Sequence, residues 1–161
     1  MRKFLDTMQK IQIAVGGGFL FIFLIAVVIQ MACRYLGIAA MWTEDVSMYS
    51  FIWAVFMGAA AMVHSDAHFA FTSVSEMIKD PKKKIILHMF ISIVMLIFTV
   101  LMAYYGTIIT KQFWNYKWIN IPSFIRGPTW ICLPICGFTA SIYLIGHIIE
   151  DFGKLAKGGN D

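Results

Sequence analysis

Four histidines, three cysteines and nine carboxylates are the side chains of this 161-residue sequence that could ligate a metal or move a proton. A haem held by two imidazoles needs both at one depth of a helical bundle, and helix order brings His88 and His147 nearest to that condition. No spacing fixes the pair as ligands, and histidine near a helix end is more often simply hydrogen-bonded, so a haem anchor is the lesser reading. Cys132 and Cys136 lie one helical turn apart with no nearby His or third Cys, whereas a tetrahedral metal site takes four ligands. With Cys33, they read as small packing residues rather than a disulfide framework. No cofactor, metal or catalytic residue is expected, and the chain does not read as an enzyme.

The carboxylates say more by where they stand. Cutting the sequence at each Lys, Arg, Asp and Glu leaves four long uncharged stretches, 11–33, 46–63, 85–110 and 127–149, of 23, 18, 26 and 23 residues. At about 1.5 Å per residue each can cross a hydrocarbon layer of about 30 Å, the third with some tilt. All nine acids fall outside them. Proton- or cation-coupled transporters place ionisable groups within the membrane, and these spans hold no Asp, Glu, Lys or Arg, with His88 and His147 near their ends. Nor is there a selectivity-filter loop, an arginine ladder or a matched pair of broken helices. Transport by this chain alone is therefore not expected.

Composition agrees: 60% hydrophobic and 14% charged residues, with a mean hydropathy of +0.74, describe a membrane chain rather than a soluble one. The expected fold is an all-α membrane protein, one domain over 1–161 with four transmembrane helices. Arg2 and Lys3 ahead of an apolar run, with Met31-Ala32-Cys33 later, faintly suggest a cleaved signal. A signal core is usually about 7 to 15 residues, shorter than this one, and Gln30 spoils a lipoprotein site, so cleavage is not expected. Nine Lys and Arg flank the spans on the side of segments 1–10, 64–84 and 150–161, against four in 34–45 and 111–126. The richer side should be cytoplasmic, which puts both ends inside. The cluster Pro81-Lys82-Lys83-Lys84 contributes most and reads as a topology anchor beside anionic lipid head groups.

Outside the spans, Phe4, Met8 and Ile11 share a helical face, with Asp6 and Lys10 spaced to pair, as in an interfacial lead-in to the first helix. Between helices two and three, Ala67, Phe71, Val74 and Ile78 recur opposite Ser73, Ser75, Glu76 and Lys79, which predicts an amphipathic helix in the membrane surface, ended by Pro81. The connection before helix four carries Phe113, Trp114, Tyr116, Trp118, Phe124 and Trp130, with Lys111, Lys117 and Arg126 and no acid. An aromatic belt at head-group level is its default reading; docking of an acidic patch on a periplasmic partner is the alternative. Ser50, Ala54 and Gly58, and likewise Gly137 and Ser141, recur every four positions, as on helix faces that pack closely within the chain or on a second subunit.

One constellation is more specific. Arg34, then Trp42-Thr43-Glu44-Asp45, Phe51-Ile52-Trp53, Phe56-Met57-Gly58-Ala59-Ala60 and His68 resemble the small membrane subunit, DctQ-like, of tripartite ATP-independent periplasmic (TRAP) transporters. The resemblance runs the whole length and extends to a proline near the start of the last helix, here Leu133-Pro134-Ile135. His64-Ser65-Asp66 departs from it, where similar chains carry basic residues. The resemblance implies a non-catalytic scaffold subunit in the bacterial inner membrane, and as partners a large membrane subunit, a periplasmic binding protein and lipid, with no nucleic acid. It also implies sodium-coupled uptake of an organic acid such as a C4-dicarboxylate or a sialic acid. Arg34, Trp42, Glu44, Asp45, Gly58 and His68 would then be helix-junction or subunit-interface residues. Within that frame Thr43 is expected to N-cap helix two, and Arg34 to pair with Glu44 or Asp45 across the short link.

Overall fold

The computed structural model describes residues 2–65 and 81–156. Helix α1 (Arg2–Tyr35) runs unbroken through the lead-in and the first apolar stretch. It stops at Gly37, whose φ of 69° suits glycine: Ile38 N–H donates to Cys33 O (2.9 Å) and Gly37 N–H to Arg34 O (3.3 Å), satisfying carbonyls the helix end would leave bare. Helices α2 (Trp42–His64) and α3 (Pro81–Gln112) follow, then a single turn, α4 (Gly127–Trp130), and α5 (Cys132–Ala156). Pro81 opens α3, a position where its missing N–H has no carbonyl to serve. Among the described residues four helical stretches are long and apolar enough to cross a membrane: 3–35, 42–64, 83–112 and 127–153. The segment expected to form an amphipathic surface helix, with His68, lies outside the described residues.

The helices pack as two hairpins, α1 with α2 and α3 with α5, joined chiefly where α2 meets α5. Small residues set the first two contacts. A Cβ built on Gly16 would lie 3.3 Å from Met57 Cβ and 3.4 Å from Ala54 O, so α1 rests close on α2. On Gly137 it would lie 2.6 Å from Ala103 N, and on Gly106 2.9 Å from Leu133 Cβ, so α3 and α5 nearly touch backbone to backbone. Aromatic contacts complete the first hairpin: Phe19 on Trp53 at 5.0 Å and Phe23 on Phe51 at 5.2 Å between ring centroids.

The hairpins are tied at the end where α1 begins and α5 finishes. Leu5, Val63, Ala140, Tyr143 and Leu144 form a buried cluster there, flanked by Met8, Met95 and Leu96. On the lead-in, Phe4 and Ile11 are exposed and Met8 packs on the cluster, while Leu5 beside them is buried. Burial on α1 is set by the helices that cover it, α2 along its length and α5 at Leu5 and Gln12, rather than by the most apolar line of the isolated helix. Nor does Asp6 pair with Lys10; its carboxylate accepts from His64 Nε2 at 2.8 Å, a partner brought by the fold rather than by the helix.

Candidate functional site

Opposite the shared end of the termini, the link from α1 to α2 meets the connection between α3 and α4. Residues 113–126 form a tight hairpin. Lys117 and Ile125 make an antiparallel bridge, Trp118 N–H donates to Phe124 O (3.0 Å) and Arg126 N–H to Tyr116 O (2.7 Å). Its rings pack on one another, Trp118 on Phe124 at 5.3 Å and Phe113 on Tyr116 at 5.3 Å, and Phe113 also meets Trp130 of α4 at 6.1 Å. The segment is thus a folded unit, because its backbone groups find partners in itself.

Two residues of α2 hold that unit. Asp45, 2% exposed, accepts a hydrogen bond from the backbone N–H of Asn120 at 2.7 Å, and Tyr49 packs its ring on Trp118 at 4.6 Å. A buried carboxylate needs such a donor, and its place in the first turn of α2 adds the positive end of the helix dipole. The expected partner was Arg34. Arg34 is exposed in the last turn of α1 and, among the described residues, makes no ion pair with Glu44 or Asp45. The tie runs instead from α2 to a loop seventy-five residues away, which sequence spacing could not indicate. The N-cap is also corrected: α2 begins at Trp42 after Met41, and the Thr43 hydroxyl, fully buried, donates to Ala40 O at 2.6 Å rather than capping the turn.

Among the described junction residues Trp42, Arg34 and Glu44 are exposed, and Gly58 is half-buried, with open space where a Cβ would stand. The three cations separate: Lys111 and Lys117 are exposed, whereas Arg126 is half-buried with its Nε sequestered.

At the other end, hydrogen bonds join three helices across the bundle. Tyr143 O–H donates to Gln12 Oε1 (3.0 Å), Gln12 Nε2 donates to Thr139 Oγ1 (2.7 Å), and the Thr139 hydroxyl donates on to Ile135 O (2.7 Å). Gln9 Nε2 donates to Ala61 O (3.0 Å) and to the Ser65 hydroxyl, closing the last turn of α2. Three described histidines lie at this end: His64 is held by Asp6 and packs on Tyr143, His88 Nδ1 bonds the buried Asp151, and His147 stands between them. His88 and His147 stand 6.4 Å apart between ring centroids, with His147 6.3 Å from His64. Nothing in the sequence spacing flagged Gln9, Gln12 or Tyr143, although an amide in an apolar helix is itself a signal that a partner is needed.

Among the described residues no group of three or more His, Cys, Asp or Glu is arranged to hold a metal. Cys132 and Cys136 are buried thiols, the first donating to Thr129 O. The arrangement offers ties, apolar faces and outward cations. A family model described as Tripartite ATP-independent periplasmic transporters, DctQ component, matches residues 9–154. No curated protein matches the sequence.

Proposed function

The chain belongs to the DctQ family, the small membrane component of TRAP transporters, and from that premise we propose that it is a non-catalytic scaffold subunit of the bacterial inner membrane. In this reading both termini lie in the cytoplasm and the 113–126 hairpin in the periplasm. A large membrane subunit then carries the substrate and sodium sites, and a periplasmic binding protein delivers an organic acid, such as a C4-dicarboxylate or a sialic acid. The carrying observation is how little the helices cover one another: of the most apolar window of α3 only 11% is buried within the chain, and of α1 only 17%. Lipid can bathe such faces, yet a scaffold requires them, and a self-sufficient cation-coupled transporter would enclose carboxylates or other charged groups at mid-depth.

Reconstitution tests the reading. Liposomes holding this chain with the large subunit and the binding protein should take up substrate, and liposomes holding this chain alone should not. Solute movement by the chain alone would replace the scaffold with an autonomous transporter. A Soret band in the purified chain, lost on His88→Ala or His147→Ala, would replace it with a haem anchor.

A further inference from the structure

Between α3 and α5 a groove of about 440 Å³ opens on the outer face of the hairpin they form, running from Val100 to Lys111 on α3 with Phe138 and Ser141 of α5 opposite. Its volume falls within the roughly 300–1,000 Å³ of small-molecule sites. The floor exists because Ala103 and Gly137 bring the two backbones together, while exposed Tyr104, Ile108 and Phe138 stand up as walls. The Thr and Ser hydroxyls are already used: Thr107 donates to Ala103 O (2.7 Å), and Ser141 donates to Gly137 O (2.7 Å) and is bonded to Thr99. Apart from the phenol of exposed Tyr104, the surface offered is therefore apolar along its length. Of the lining side chains Lys111 alone is charged, and it makes no ion pair among the described residues.

Length and charge together select an occupant. From Val100 to Lys111 the groove follows α3 for about 16 Å, which is about half of a 30 Å hydrocarbon core. It occupies one leaflet. Lys111, in the last turn of α3, lies at head-group level beside the aromatic hairpin. A partner's transmembrane helix would ask for a track through both leaflets and no cation at one end. We propose that this groove is a binding site for one anionic phospholipid of the leaflet on the hairpin side, an acyl chain lying between α3 and α5 and the phosphate on Lys111. The inference rests on the chain spanning a membrane and not on its scaffold role.

Native mass spectrometry of the purified chain, offered phosphatidylglycerol or phosphatidylcholine, reads the site directly. The wild type should retain one phosphatidylglycerol in preference to phosphatidylcholine. Lys111→Gln, at an exposed position that leaves the fold intact, should lower that preference about five-fold, as expected for one basic residue at an anionic surface. Thr107→Phe should expel both lipids, and Thr107→Val should bind as the wild type does, with helix content by circular dichroism checked for each. A preference unchanged by Lys111→Gln overturns the proposal. So does lipid retained by a folded Thr107→Phe, or a Thr107→Cys chain that cross-links to a co-purified large subunit in place of lipid.

Discussion

The glycines divide by what a methyl group would strike. At Gly137 an added Cβ would lie 2.6 Å from Ala103 N and 2.8 Å from its Cα, so α3 and α5 must move apart. Gly137→Ala should destabilise the chain by about 1–3 kcal/mol, the usual penalty for overpacking, seen as a lower unfolding midpoint in detergent. At Gly58 the methyl would meet nothing, so Gly58→Ala should leave that midpoint within about 0.5 kcal/mol. If Gly58 faces the large subunit, the same variant should co-purify less of it. Asp45 gives a polar counterpart: Asp45→Ala leaves the Asn120 N–H without its acceptor and should cost about 1–3 kcal/mol, while Asp45→Asn, which keeps an acceptor oxygen, should recover part of the loss.

Among the elements, the hairpin over 113–126 depends on α2 through Trp118. Trp118→Ala removes the contact with Tyr49 and with Phe124, and the segment should become sensitive to limited proteolysis while the helix content holds. The apolar spans were legible because hydropathy is a property of each stretch by itself, and the stop of α1 was legible in principle at Gly37. The start of α2 was misread because Thr43 has two uses for its hydroxyl, and its buried setting chose the carbonyl of Ala40 over a cap. The Asp45 tie, the His64–Asp6 pair and the Gln12–Tyr143 bond were not legible, since each joins residues more than fifty positions apart. Local pattern places charges at helix ends but does not choose their partners.

At the scale of the molecule, Lys117 is the exposed cation on the hairpin, whereas Arg126 is turned partly inward and Lys111 borders the groove. Docking of a binding protein by charge should therefore fall most for Lys117→Gln at low ionic strength and recover as salt screens the contact, read as the affinity of binding protein for the assembled membrane complex. Replacing Lys111, Lys117 and Arg126 together should deepen the loss at low salt. An affinity indifferent to both substitution and salt would leave the loop its belt role alone.

The 34 residues of α1 make a rod about 51 Å long. Sinking all of it in a 30 Å layer would require a lean of about 54°, beyond the roughly 0–40° at which such helices are found. With its uncharged stretch beginning at residue 11, its first turns lie beyond the hydrocarbon, and the bonds from Asp6 to His64 and from Gln9 to Ala61 clamp the end of α2 at that same height. The protein thus carries its own waterline on one side. Bilayers of different thickness have to be absorbed at the opposite rim, where Trp42, Trp114, Trp118 and Trp130 would register the change as a shift in their fluorescence.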